Sequence, residues 1–246
     1  MKALLLTGLL FILILPGCRK ETSILPLLQS VEELIPMYAD SASVLLDSIQ
    51  APDELTDKDF AHWCMLCGKV TDEAATGLLP IYQWQRAQQW FTEHGTAEEQ
   101  AQIDLYLGRA YVENGEYDKA MQIYADALQL AKEHQAYNVA GYICAYMADL
   151  YGFRDITSEC LKKREEACEF FKKAENYKSY AYSLKDLAGE WAILDSFACT
   201  IPLLQKADSI SQLLHNKNLT AAIANAFALI YEMQGKYNEA ETAYLK

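Results

Sequence analysis

The sequence of 246 residues predicts an all-α protein, an α-solenoid of about five to six stacked helical hairpins with a period of about 40 residues. Two observations predict this fold. Apolar residues follow helical spacing along most of the chain, and no strands are evident. A large side chain followed by a small one also recurs at a fixed interval. These pairs are Leu107-Gly108, Met147-Ala148, Leu187-Ala188 and Phe227-Ala228.

The clearest repeat runs from Leu107 to Leu128, LGRAYVENGEYDKAMQIYADAL. Gly108 and Ala120 are small, as needed where two antiparallel helices cross closely. Gly115 follows the first helix and can adopt the left-handed conformation that such a stop requires. Tyrosines are expected to fill the wedges between hairpins. The repeat positions are Leu107, Gly108, Tyr111, Gly115, Tyr117, Ala120, Tyr124 and Ala127.

In these positions the chain resembles the tetratricopeptide repeat family. The same spacing returns in AFALIYEMQGKYNEAETAY, which ends at Tyr244, and in the copy that begins at Leu187. The copy that begins at Met147 has a second helix that is expected to start late, at Ala167, Phe171 and Ala174. Family repeats are about 34 residues long, so each unit here has about six extra residues, in longer helices or in loops.

Further helices are predicted before these repeats. Val31–Tyr38 and Ser41–Ile49 are expected to form a helical hairpin, and Ile81–His94 to form another helix. Pro52 breaks the chain, and residues 53–57 can cap the next helix. The last copy stops before its second helix is complete. We therefore expect the chain to be truncated relative to a longer protein, because solenoids normally seal their terminal hydrophobic face.

The N-terminus has the features of an export signal. Lys2 precedes an apolar run, Ala3–Leu15, and Leu15-Pro16-Gly17-Cys18 resembles a bacterial lipobox. The resemblance implies lipid on Cys18 and attachment to the outer or inner membrane of the cell envelope, facing the periplasm or the cell surface. The predicted organisation is a lipoprotein signal peptide (1–17), a lipidated tether (18–26) and the repeat array (27–246). A membrane-spanning anchor is the alternative, but the apolar run is short for one.

Composition argues against nucleic-acid binding and catalysis. The net charge of −13 repels phosphate backbones. His62, His94, His134 and His215 are far apart, and none has a second ligand three or four residues away as a zinc site would need. Nucleotide-binding, serine-hydrolase and metalloprotease motifs are absent from the sequence. We therefore predict no enzyme activity, no cofactor and no metal site.

The segment WCMLC, Trp63–Cys67, has the outline of a thiol-disulfide oxidoreductase site. A redox cysteine lies at an exposed helix N-terminus, whereas Phe60-Ala61-His62 already precede this pair within a helix. Cys67-Gly68 also lies one period before Leu107-Gly108, so packing is the preferred interpretation. The cysteines are expected to be buried thiols, although their disulfide state stays open. They are Cys64, Cys67, Cys144, Cys160, Cys168 and Cys199.

The family resemblance implies that the first helix of each repeat lines a concave face that binds an extended peptide or helix. The partner is an unknown protein or peptide, and solvent exposure on a long helix is the alternative for each residue. Of the Lys/Asn pattern by which some relatives clamp a C-terminal carboxylate, only Asn225 fits. The candidates are Arg109, Glu113, Tyr142, Asp149, Tyr182, Lys185, Asn225 and Glu232.

The predicted function is a lipid-anchored scaffold for protein–protein interaction, similar to exported tetratricopeptide proteins of Bacteroidetes-type bacteria. One alternative is the extracytoplasmic input domain of a longer membrane signalling protein. Another is a glycan-binding outer-membrane lipoprotein similar to the SusD-like family. Asp-Ser motifs at Ser41, Ser48 and Ser209 also resemble acceptors for O-glycosylation in such bacteria, although Asp-Ser is a common helix start.

Overall fold

The computed structural model describes residues 24–74 and 76–245. This part of the chain contains eleven α-helices, a 3-10 turn at Pro52–Glu54 and no strand, which confirms the all-α prediction. The predicted signal peptide and Cys18 lie outside it. The helices are α1 Leu25–Asp47, α2 Asp57–Ala74, α3 Ile81–His94, α4 Ala97–Glu113, α5 Tyr117–Glu133, α6 Tyr137–Phe153, α7 Thr157–Lys173, α8 Tyr177–Ile193, α9 Phe197–Leu213, α10 Lys217–Met233 and α11 Tyr237–Tyr244.

The helices form five consecutive antiparallel hairpins in the described residues, from α2/α3 to α10/α11. From α4 onward a helix begins every 20 residues, so the predicted 40-residue period is confirmed. Helices α4 to α10 each have 17 residues, and only three residues separate one helix from the next. The extra length of each repeat therefore lies in its helices and not in its loops. None of the described helices is long and apolar enough to span a membrane.

At every turn from α4 onward, the preceding helix ends at a residue in the left-handed backbone conformation, with positive φ. In the first, the Gly115 N–H donates to the Val112 carbonyl at 3.0 Å and the Glu116 N–H to the Tyr111 carbonyl at 2.8 Å. This pair of bonds is the Schellman motif, and it satisfies carbonyls that the helix end leaves free. The residues with positive φ lie 20 apart. They are Gly115, Gln135, Asp155, Glu175, Asp195, His215 and Gly235.

Six of the eight repeat positions predicted from the sequence pack in a continuous core, whereas Gly115 lies in the turn, as predicted, and Tyr117 is exposed. Leu107, Gly108, Tyr111, Ala120, Tyr124 and Ala127 are buried. A Cβ on Gly108 would lie 2.2 Å from Cε1 of Tyr124, so the crossing of α4 and α5 requires glycine. Tyr117 was predicted to fill a wedge, but it is 43% exposed. It is the first residue of α5, at the edge of a turn and away from the helix crossing.

One predicted element was wrong, and another agrees with the structure in its helical segments. Before Pro52, helical segments lie on either side of Tyr38, whose backbone is not helical (φ −139°, ψ 52°), as the predicted segments Val31–Tyr38 and Ser41–Ile49 require. Pro36 removes a backbone donor just before this break. In the third hairpin, α7 begins at Thr157, on the 20-residue grid and not late. Cys160 occupies the small-residue position there and is buried.

Candidate functional site

The first helices of successive hairpins, α2, α4, α6 and α8, lie along one side of the array. Nζ of Lys178 on α8 lies 2.8 Å from Oε2 of Glu73 on α2, although two hairpins lie between them. Such a contact requires the array to curve toward this side, which is therefore the concave one. We name this surface the inner groove. It is lined by Asp72, Glu73, Arg109, Glu113, Tyr142, Tyr146, Asp149, Arg164, Lys178, Tyr182 and Asp186.

An ion pair joins α4 to α2 at the first end of the groove. Arg109 pairs with Asp72, whose other oxygen accepts a hydrogen bond from the Tyr106 hydroxyl at 2.8 Å. The Arg109 guanidinium also lies 4.9 Å from the centre of the Tyr146 ring, within cation–π distance. Burial raises the pKa of Asp72, although Arg109 and Tyr106 act in the opposite direction. The carboxylate is therefore held in a partly desolvated position.

Arg164 of α7 organises the middle of the groove. Nη2 lies 2.6 Å from Oδ1 of Asp149 on α6. Nε lies 3.6 Å from Oε1 of Glu190 on α8, too far for a hydrogen bond, and it has no hydrogen-bond partner among the described residues. The Arg164 side chain is 12% exposed. Burial raises the pKa of Asp149, and Arg164 opposes that shift. One arginine thus links three helices across two hairpins.

A mostly apolar cavity of about 420 Å³ lies at one side of Arg164. Its apolar wall comes from Leu78, Val112, Leu150 and Phe153, and Phe153 is 76% exposed. Tyr124 also lines it. This tyrosine is fully buried, and its hydroxyl has no hydrogen-bond partner in the described chain. A buried polar group without a partner costs free energy, and this hydroxyl lies just beneath the cavity wall, covered by neighbouring atoms.

A polar cavity of about 330 Å³ adjoins the apolar one and shares Tyr146, Asp149 and Arg164 with it. The Glu73–Lys178 ion pair lies at its rim. Tyr142 and Tyr182 line its wall, and the Tyr142 hydroxyl is 2.8 Å from the hydroxyl of Ser179. Most titratable groups of this cavity already have an ionic partner within the protein, so an incoming ligand must compete for them or find a free face.

The structure brings five of the predicted peptide-binding residues together, because Arg109, Glu113, Tyr142, Asp149 and Tyr182 all line one of the two cavities. The other three lie apart from them. Lys185 pairs with Asp186 beside the groove. Asn225 and Glu232 are exposed on α10 and line neither cavity.

Sequence reasoning missed Arg164, which is central to the groove. A signal was present, since position 164 lies one 40-residue period after Tyr124 and one before Leu204. An arginine in a slot otherwise held by large apolar or aromatic residues needs buried acidic partners. Asp72 and Tyr146 were also missed. They lie beside the predicted residues only because α2, α4 and α6 stack.

The WCMLC segment lies inside α2. Cys64 is fully buried, and its Sγ donates to the carbonyl of Gln83 at 3.8 Å. Burial raises the pKa of both Cys64 and Cys67. A redox nucleophile needs the opposite shift, because the thiolate is the reactive form. All six cysteines that the structure describes are free thiols, and only Cys199 is exposed.

Within residues 24–74 and 76–245, no three His, Cys, Asp or Glu side chains converge as metal ligands. His62 contacts Trp90 edge-to-face, with ring centroids 5.1 Å apart, and His94 stacks on the same tryptophan at 5.0 Å. These two histidines therefore belong to an aromatic cluster around Trp90.

Comparisons with known proteins agree with the fold. The family model described as tetratricopeptide repeat matches residues 105–134. The chain is similar to the crystal structure of BtubC (BKLC) from P. vanneervenii, with a TM-score of 0.61 at 16% identity over 91% of this chain and 89% of that one. It is also similar to the apo form of RapI, with a TM-score of 0.63 at 13% identity over 90% and 94% of the two chains.

A third similar structure is a signal transduction ATPase with numerous domains from Pyrococcus horikoshii, which has a tetratricopeptide repeat sensor. Its TM-score is 0.59 at 14% identity, over 89% of this chain and 35% of that one. Comparison with curated protein sequences gives no match. At these identities the similarity establishes the fold alone. The chain is therefore a tetratricopeptide-like α-solenoid, a fold that is typically non-catalytic and suggests protein–protein interaction.

Proposed function

We propose that this protein is a lipid-anchored interaction scaffold that binds an extended segment of a partner protein in the inner groove. The observation that carries the proposal is the pair of adjoining cavities on the concave side of α2, α4, α6 and α8. Together they offer an apolar wall, tyrosine faces and charged groups in one continuous surface. This combination is typical of protein-binding sites, which have an apolar centre and a polar rim.

Tyr182 is the most informative residue for a test. It lines the polar cavity and is half-buried, and because it also packs against the hydrophobic core, the fold of its alanine variant is measured alongside binding. Tyrosines in such positions carry a large share of binding energy in many interfaces. Leu213, at the end of α9 and 80% exposed, lines a separate apolar cavity and neither groove cavity, so it serves as a control for binding elsewhere on the array.

The experiment is affinity capture from envelope extracts with the full chain, Tyr182→Ala and Leu213→Ala. We expect a discrete partner protein with the full chain, about tenfold less of it with Tyr182→Ala, and an unchanged amount with Leu213→Ala. Circular dichroism of each variant checks that the fold is retained. Equal recovery with all three forms would contradict the use of the inner groove.

Lipid attachment rests on the sequence of residues 15–18, which lie outside the described residues. Metabolic labelling with a fatty acid, followed by membrane fractionation, tests it in the full chain. We expect label in the wild type, and loss of both the label and durable membrane attachment in Cys18→Ser. Membrane attachment without label, unchanged in Cys18→Ser, would refute the lipid anchor.

A further inference from the structure

We propose that the inner groove selects a partner segment that carries a large apolar side chain close to a lysine or arginine. This inference rests on the proposed function and specifies its ligand. The two cavities differ in character but share a wall, so neighbouring side chains of one extended segment can occupy both. The apolar side chain would enter the cavity lined by Leu78, Leu150 and Phe153, and the basic one would enter the polar cavity.

The charges of the groove favour a basic ligand. Every groove cation already has an acidic partner. Arg109 pairs with Asp72, Arg164 with Asp149, Lys178 with Glu73 and Lys185 with Asp186. One further carboxylate remains among the lining residues, that of Glu113 in the apolar cavity. The groove therefore has a surplus of negative charge, within a chain whose net charge is −13.

The walls of the polar cavity can also accept a cation. Tyr142 and Tyr182 line it as half-buried aromatic rings, and the faces of such rings attract lysine and arginine side chains. Burial raises the pKa values of Asp72 and Asp149, so a nearby cation would relieve a desolvation cost that their present partners only offset in part. An acidic ligand would add to the same cost.

The apolar cavity supplies an independent indication of a ligand. Tyr124 is fully buried and lines this cavity, yet its hydroxyl lacks a hydrogen-bond partner in the described part of the chain. Native proteins leave few buried polar groups unpaired. A peptide segment brings backbone donors and acceptors along with its side chains. Bound in this cavity, it can supply the missing partner once the neighbouring side chains shift to uncover the hydroxyl.

The test uses fluorophore-labelled, acetylated and amidated octapeptides in a Gly/Ser background, with binding measured by fluorescence anisotropy against the full chain. One set carries a phenylalanine and a lysine at varied separation. Matched sets replace lysine with glutamate or phenylalanine with alanine. We expect the best Phe–Lys peptide to bind about tenfold more tightly than its glutamate and alanine counterparts, and the advantage over glutamate to shrink at about 1 M salt.

Variants assign each side chain to its cavity. Asp186→Asn should lower the affinity for the Phe–Lys peptide about threefold. It should not lower the affinity for the Phe–Glu peptide. Phe153→Ala should lower the affinity for every peptide that contains phenylalanine about threefold and leave the affinity for the alanine set unchanged. Glu169→Gln removes an exposed charge on α7 that does not line either cavity, and it should change none of these affinities.

The outcomes separate this inference from the proposed function. If glutamate peptides bind as tightly as lysine peptides and Tyr182→Ala weakens both, the basic ligand class is wrong but peptide binding in the groove stands. If the alanine set binds as tightly as the phenylalanine set, the apolar requirement is wrong. If no set binds, the ligand class is overturned, and the capture experiment alone decides the proposed function.

Discussion

Glu73 and Lys178 form an ion pair across the concave side of the array, with 2.8 Å between Oε2 and Nζ, although they are 105 residues apart in sequence. The pair joins the first hairpin to the fourth at the rim of the polar cavity. Both side chains are more than 40% exposed, so the pair contributes little to stability. Its importance lies in position, because it spans the opening through which a ligand would enter the cavity.

A double-mutant cycle with Glu73→Gln and Lys178→Gln should give a coupling free energy of about 0.5 kcal/mol at low salt. Screening should reduce the coupling below detection at about 1 M salt. Urea unfolding of the four proteins at both salt concentrations measures it. A coupling that is absent at low salt, or that does not respond to salt, would mean that the two groups do not interact in solution.

Gly108 and Gly189 form a matched pair for testing the packing of the repeats. A Cβ at Gly108 would lie 2.2 Å from the buried ring of Tyr124, whereas a Cβ at Gly189 meets nothing within 4 Å. We expect Gly108→Ala to lower the free energy of unfolding by about 2 kcal/mol or more, because the core cannot expand freely. Gly189→Ala should raise it by about 0.5–1 kcal/mol, since alanine favours a helix interior.

Thermal and urea unfolding of both variants provides the measurement. Equal effects of the two substitutions would show that the close crossing of α4 and α5 is not present in solution. Gly189→Ala is the control. Both glycines lie inside 17-residue helices of the array, so the gain in helix propensity is similar at both positions and the difference between the variants reports steric overlap at Gly108.

Asp104 should make the protein less stable as pH rises. Burial raises its pKa to about 6, although Gln88 donates a hydrogen bond to Oδ1 at 2.7 Å. The unfolded value is about 3.9, so the folded state binds the proton more tightly. Stability linked to this group is complete below about pH 4, decreases as pH rises toward 6 and is lost above that.

Asp104→Asn mimics the protonated side chain and removes this penalty. We expect the variant to be more stable than the wild type by about 2 kcal/mol near pH 8, and the difference to narrow toward pH 4. Urea unfolding across this pH range tests the sign and the window. A wild type that is more stable than the variant near pH 8 would contradict the desolvation of the Asp104 carboxyl.

The cysteines should separate into two classes toward a thiol reagent. Cys199 is exposed, whereas burial raises the pKa of Cys160 to about 11 and those of Cys144 and Cys168 to about 12. In the native protein with Cys18 lipidated or replaced by serine, we expect a fast-reacting fraction that disappears in Cys199→Ser. Cys64 and Cys67 should react only on unfolding.

The variant with both Cys64→Ala and Cys67→Ala should retain the peptide or partner binding of the wild type. The wild type should also fail to reduce insulin. Insulin-reductase activity that is present in the wild type and lost in the double variant would restore the redox interpretation of the WCMLC segment.

The sequence was sufficient to predict the repeating part of the fold because its physical requirements are local. Gly108 and Ala148 must be small where helices cross, and Gly115 must adopt a positive φ. The other turns were harder to recognise, because Gln135 and Glu175 adopt the left-handed conformation without being glycine. At these turns, the hydrogen bonds of the Schellman motif and the connection of only three residues between helices impose the left-handed conformation, which residues other than glycine rarely adopt.

The candidate site was predictable only in part. Arg109, Tyr142 and Tyr182 follow from their positions on the first helix of each repeat. Arg164 comes from a second helix, and its acidic partners come from two other helices. The contact between Glu73 and Lys178 depends on the curvature that accumulates over several hairpins. That curvature is a sum of small packing rotations, which no short sequence pattern encodes.

Site-specific photo-crosslinking in cells tests the central claim, that a partner protein occupies the inner groove, most directly. A photoreactive amino acid is placed at Tyr182 in the groove or at Leu213 as the control. The account predicts a discrete crosslinked protein from Tyr182, with a yield that falls by up to about threefold when Phe153→Ala is added, and none from Leu213. The same crosslinked protein from Leu213, or none from Tyr182 while the partner still co-purifies, would contradict it.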